Sequence, residues 1–150
     1  MLVVNIVPIE KDEYARAFEL MHTNMIVYHT EHNIPWNQSW IEANFRDKDN
    51  YSVTHHSIWV GFLSLQWSES ELYIHTFQLV KPVQGSIVGY RVFQWILAEA
   101  AGRGVSEIAC KSFKDNPAVD IYKKIGFEVV DTSKLFIDFQ MSIARAGTKD

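Results

Sequence analysis

Hydrophobic residues change their spacing several times along the chain, and each change marks an element. Residues 2 to 7 are rich in β-branched side chains and predict a first strand, halted by Pro8. From about residue 11 to 28, Tyr14, Phe18, Met21, Met25 and Tyr28 recur at three- and four-residue intervals, the signature of one helix face. Residues 29 to 39 break that rhythm, with Asn33 and Pro35 as turn formers, and Ser39 followed by Glu42 resembles a capping box that opens a short helix to about Arg46. Residues 51–54, 57–66 and 72–80 then read as an antiparallel meander, the last two runs joined by the polar turn Ser68, Glu69, Ser70, Glu71. After Gln84, the spacing of Val88, Val92, Trp95, Ile96 and Glu99 predicts an amphipathic helix that ends near Gly102 and Gly104. Residues 107–112 predict a buried strand on which Ile108, Cys110 and Ser112 alternate inward, and residues 127–130 and 135–141 predict a closing hairpin. The tail after Ala144 is expected to be loose. With the short helix described next, the order is β-α-α-β-β-β-α-β-α-β-β.

That helix lies between Asn116 and Phe127. Asn116 can accept a hydrogen bond from the first free amides, Pro117 suits the first helical position, and Gly126 can take the left-handed turn that ends it. Ala118, Ile121, Tyr122 and Ile125 fall on one face and leave Asp120, Lys123 and Lys124 to water. Tyr122 therefore sits at the rim of an apolar stripe with a hydroxyl that needs a partner. On physical grounds alone it is a core tyrosine whose hydroxyl reaches the surface.

Length and composition narrow the class. The chain has 150 residues and 47% hydrophobic content, enough for one core, so a single domain over residues 1–150 is expected. The net charge of −4 is mild and the signs are interspersed, so no basic face for nucleic acid is expected. A lone cysteine excludes an intramolecular disulfide and suits a reducing compartment, which makes the cytoplasm the default. The apolar opening lacks a basic leader and no run reaches membrane-spanning length, so no membrane partner is expected.

The string N-x-A-x-x-x-Y-x-K-x-G-F resembles the last segment of the GNAT superfamily of N-acetyltransferases, with matches at Asn116, Ala118, Tyr122, Gly126 and Phe127. The element order is similar to that family too. The resemblance implies an α/β fold: a mixed, mostly antiparallel sheet of about seven strands flanked by about four helices and splayed between the two central strands. It implies acetyl transfer from acetyl-CoA to a primary amine of a small molecule or peptide, by direct attack. In the family the tyrosine matching Tyr122 often acts as the acid that protonates the departing thiolate, and Asn116 opens the helix that packs beside the pantetheine arm.

Between Leu79 and Gly89 the family carries R/Q-x-x-G-x-G/A, whose backbone amides at a helix start hold the pyrophosphate of the cofactor. This chain supplies Gln84, Gly85, Ser86, Ile87, Val88 and Gly89, matching the first and last motif positions while Ile87 replaces the middle glycine. Either the loop tilts, with Gly85 giving the slack, or cofactor affinity is weakened. Read without the resemblance, the segment is an ordinary strand-to-helix turn. The resemblance also assigns the backbone N–H of Leu79 to the acyl oxygen. For the base, His75 shares strand parity with Leu79, and some relatives that acetylate arylalkylamines use a histidine four residues before this position. His29, Glu31 and His32, expected in the loop after the first helix, are the alternatives, and the plain reading of all four is structural or solvated.

The pairs His29/His32 and His55/His56 lack a cysteine or acid set that completes a metal-ligand pattern, so no metal is expected. Trp36, Trp40, Phe45, Trp59, Phe62 and Trp67 are read as core, with a subunit contact in a homodimer or an acceptor pocket formed partly by Trp36 and Trp40 as further uses. Cys110 is read as a buried thiol and not a nucleophile. Two functions remain: an acetyl-CoA-dependent N-acetyltransferase, with a longer acyl donor as a variant, and a non-catalytic acyl-CoA or ligand-binding module on the same scaffold, motivated by Ile87.

Overall fold

The computed structural model describes residues 3–143; Met1 and Leu2 of the expected first strand, and the tail from Ala144, lie outside the described residues. The elements follow the expected order: β1 (Val4–Pro8), α1 (Tyr14–Glu31), α2 (Gln38–Arg46), β2 (Asp49–His55), β3 (Ile58–Trp67), β4 (Glu71–Leu79), α3 (Ile87–Arg103), β5 (Glu107–Phe113), α4 (Ala118–Ile125), β6 (Glu128–Thr132) and β7 (Phe136–Ser142). The strands form one seven-stranded sheet in the order β1-β2-β3-β4-β5-β7-β6. Pairings β1–β2, β2–β3, β5–β7 and β6–β7 are antiparallel, and β4–β5 is parallel. The β4–β5 ladder runs only from Glu71 opposite Glu107 to Ile74 opposite Cys110, while β4 continues to Leu79.

Two compact units divide the chain, one from residues up to 65 together with 76–96, the other from 66–75 together with 97 onward. In the first, Ala17, Phe18, Met21, Ile41 and Phe62 form a buried cluster over which Ile9, Tyr14, Trp36, Phe45 and Trp59 close. The α1 stripe read from the sequence is the reason: Phe18 and Met21 face the sheet together, and Phe62 meets Phe18 edge-on at 6.3 Å. In the second unit, Leu72, Ile108, Cys110 and Phe139 are buried, and Ser112 joins Ile108 and Cys110 on the inward side of β5, as the alternation predicts.

Several boundaries differ from expectation. Helix α1 runs to Glu31, so His29 and Glu31 belong to its last turn and His32 is its C-cap, not part of a loop. Polar residues end the visible apolar stripe without ending the backbone hydrogen bonds. The α2 cap is Asn37, whose side chain accepts from the Trp40 N–H at 3.0 Å, and Ser39 lies inside the helix. Asparagine two residues earlier offers the same acceptor and wins. The wedge of α4 is also rotated: Val119 is buried and Ile121 is 44% exposed, because Val119 and Tyr122 define the inward face. Trp40, read as core, is 62% exposed, whereas Phe62 is fully buried.

Candidate active site

In the first unit, β4 delivers the chain to a strap of polar bonds around Leu79. The Leu79 carbonyl accepts from the side-chain amides of Asn24 at 3.1 Å and Gln84 at 2.9 Å. Asn24 also donates to Gln78 Oε1 at 3.0 Å, and the next backbone amide, Val80, donates to the Val60 carbonyl at 2.9 Å. Gly61 allows this crowding, since a Cβ there would lie 2.5 Å from the Gln78 carbonyl oxygen and 2.7 Å from a Leu79 methyl. The Leu79 peptide is thus fixed from α1, from β3 and from the following loop.

Beyond Leu79, a single 3₁₀ turn (Lys81–Val83) leads to Gln84 in extended geometry and Gly85 at φ +71°. A Cβ at Gly85 would meet no atom within 4 Å, so the backbone there faces open space. Ser86 then caps the 17-residue α3: its Oγ accepts from the Val88 N–H at 3.2 Å and donates to the Val83 carbonyl at 2.6 Å. Ile87 opens the helix with its side chain 53% exposed. Gly89 packs near a Leu79 methyl, 3.7 Å from where a Cβ would stand. The turn accommodates Ile87 because Gly85, two residues earlier, takes the left-handed conformation that an L-residue resists. The first-turn amides of α3 lack intrahelical acceptors and carry the positive end of its dipole, an arrangement suited to anions.

In the second unit, α4 holds Tyr122. Asn116 Oδ1 accepts from the Ala118 N–H at 2.9 Å, and the Tyr122 carbonyl accepts from the Phe127 N–H at 3.0 Å past Gly126 at φ +121°, so both ends close as the residues predicted. The Tyr122 ring packs against Phe127 at 5.6 Å and Phe139 at 5.4 Å. Burial, and then the nearby Cys110 thiol, push the Tyr122 phenol above its ordinary range, so it stays protonated throughout neutral pH. Cys110 is itself buried, its thiol pushed up to about 12 by desolvation and then by Asp138, which leaves it inert as a nucleophile.

His75, also in the second unit, faces a recess of about 340 Å³ with Gln66, Trp67, Ser68, Glu71 and Tyr73. Its Nε2 is 2.7 Å from Gln66 Oε1 and its ring meets Tyr73 at 4.8 Å. Its neighbours are distinct from the Phe127, Phe139 and Cys110 set around Tyr122. Of the other histidines, His29 meets the Trp36 ring edge-on at 4.8 Å, as does His22 at 5.1 Å, and His55 and His56 lie 4.4 Å apart. Asn24, Gly61 and Gln78 escaped sequence reading, since their partners lie far along the chain.

The architecture is similar to that of several solved N-acetyltransferases. Ard1 from Thermoplasma volcanium superposes with a TM-score of 0.76 at 15% identity, covering 95% of this chain and 99% of that one. The ribosomal-protein-S18-alanine N-acetyltransferase of Escherichia coli gives 0.73 at 17% identity over 97% of both chains. Naa50 of Arabidopsis thaliana, solved with the bisubstrate analogue CoA-Ac-MVNAL, gives 0.72 at 17% identity, covering 93% of this chain and 99% of that one. No protein-family model matches the sequence, and no curated protein matches it. Among the described residues, no helix is long and apolar enough to cross a membrane.

Proposed function

We propose that the protein is an acetyl-CoA-dependent N-acetyltransferase of the GNAT superfamily, acting on a primary amine of a small molecule or peptide. The observation that carries this reading is the backbone from Gly85 to Gly89: a positive-φ glycine facing open space, then a capped helix start with an outward Ile87. It fits a pyrophosphate because amides and dipole, not side chains, supply the attraction. The coenzyme A analogue in the Arabidopsis complex supports the same ligand class.

When bound, acetyl-CoA supplies the acetyl group as a thioester. Gln84, Gly85, Ser86, Ile87, Val88 and Gly89 hold its diphosphate, and Asn116 sets the start of the helix beside the pantetheine arm. The Leu79 N–H donates to the acyl oxygen as that atom gains charge. The free amine forms the new C–N bond while the C–S bond breaks. Tyr122, held protonated by its apolar surroundings, gives its proton to the departing sulfur. The attacking nitrogen must shed a proton first, because an ammonium has no lone pair; His75 takes it directly or through water. Replacing His75 with Ala should remove one limb of the pH–rate profile, and an unchanged profile removes His75 from the reaction.

A non-catalytic binding module is the competing reading. Free-thiol release from acetyl-CoA across a panel of amines separates the two. Release with at least one amine supports the enzyme; tight binding of acetyl-CoA with no release by any amine supports the module.

A further inference from the structure

The polar strap around Leu79 has a member that no sequence motif singles out. Asn24 sits in the second half of α1, 54 and 55 residues from its partners Gln78 and Leu79. Its amide nitrogen spends one hydrogen on Gln78 Oε1 and the other on the Leu79 carbonyl, while its oxygen faces the Gln84 side-chain nitrogen at 3.4 Å. Gln84 donates to the same Leu79 carbonyl at 2.9 Å. Two amides from different elements therefore occupy the two lone pairs of one carbonyl, and each also touches the other.

A carbonyl so saturated cannot tilt without losing two bonds. The N–H of the same peptide is held as well, by Val80 donating to Val60, and the preceding peptide, which carries the Leu79 N–H, is held by the tight seat of the Gln78 carbonyl against Gly61. A geometric consequence follows. Loss of the Asn24 amide would leave the Leu79 carbonyl to Gln84 alone and remove the oxygen that faces the Gln84 side chain, although Asn24 lies on neither the strand nor the loop.

We propose that Asn24 is a positioning residue, which fixes the Leu79 peptide and the Gln84–Gly89 loop from the first helix and so sets both the oxyanion donor and the diphosphate cradle. This rests on the acetyltransferase reading for its catalytic consequence, but not for its structural one. Asn24 touches no reacting atom; it acts through Leu79 and Gln84. Because α1 also leads into the segment before α2, a shift in this helix would reach the loop through one side chain.

Asn24→Asp tests this with little change of volume, since the carboxylate keeps the acceptors and loses both donated hydrogens. Asn24→Ala is the second variant, in case the new charge perturbs α1. Hydrogen exchange on the full chain should show amides of residues 79–89 exchanging roughly 10-fold faster or more, while those of α2 and α4 are unmoved. Turnover should fall by about 10- to 100-fold in kcat, as expected for a misplaced reacting geometry, with a smaller rise in KM for acetyl-CoA. Combining Asn24→Ala with Gln84→Ala should cost less than the product of the single losses, because both act on one carbonyl. Unchanged exchange at residues 79–89, or fully multiplicative losses, would overturn the proposal. If the wild type neither binds coenzyme A nor turns over, the acetyltransferase reading fails, and the exchange measurement still decides the role of Asn24.

Discussion

The Gln84–Gly89 loop and α4 carry the two halves of the proposed chemistry, and they are made in opposite ways. The loop is exposed backbone steered by glycine geometry and tied down by side-chain amides; α4 is a short helix whose one important side chain is set in an aromatic nest. A departure from motif therefore means different things in each. In the loop, Ile87 at the motif's middle-glycine position should change little, because the positive φ sits at Gly85 and the isoleucine is 53% exposed. In α4 the matched letters are kept, yet the buried face is not the one the spacing suggested. A diphosphate cradle is defined by dihedral angles, an acid by the apolar ground around it.

The comparison breaks most visibly at Tyr122. Tyr122→Phe keeps the ring and removes the hydroxyl, so kcat should fall by roughly 10²- to 10⁴-fold. Full turnover in this variant would show that another group protonates the sulfur.

Next in size is an alkaline effect confined to the α4 side. The Cys110 thiol is raised from 9.0 to about 12, so above pH 9 the unfolded chain loses a proton that the folded one retains. Stability from this group is complete below pH 9 and is lost as pH rises through about 12. The loss is on the order of 4 kcal/mol across that window. Tyr122 and Tyr73, both raised chiefly by burial, act in the same direction above pH 10. Denaturant titrations of wild type and Cys110→Ala should therefore diverge at neutral pH and converge at alkaline pH. A gap that is constant from pH 7 to 11 would contradict the buried-thiol account.

The smallest effect should come from Ile87→Gly. An outward side chain contributes little to the cradle, so acetyl-CoA affinity should change by less than about 3-fold, with a stability cost of about 0.5 kcal/mol from helix propensity. A tenfold gain in affinity would mean that the isoleucine does obstruct the ligand.

Much of the fold was legible because its signals are local. The heptad-like stripe of α1, the inward alternation of Ile108, Cys110 and Ser112, and the Asn116 and Gly126 ends of α4 all follow from neighbours within a few residues. Errors arose where two local signals competed, as when Asn37 and not Ser39 capped α2, or where a helix outlasted its apolar stripe at His29 and Glu31. The strap of Asn24, Gln78, Leu79 and Gln84 was invisible for a different reason. The contacts that Asn24 makes span 54 to 60 residues, and nothing near Asn24 in the chain distinguishes it from any polar residue on a helix. Gly61 likewise reads as a strand glycine until the Gln78 carbonyl is seen against it.

Calorimetric titration of acetyl-CoA into the wild type and into Gly85→Val tests the cradle most directly. A valine is strongly disfavoured at φ +71° although space for it exists, so the variant changes backbone conformation without filling the groove. Saturable one-to-one binding by the wild type, weakened by about 10-fold or more in Gly85→Val, is the expected result. Absence of saturable heat with the wild type, or equal affinity in both proteins, would contradict it.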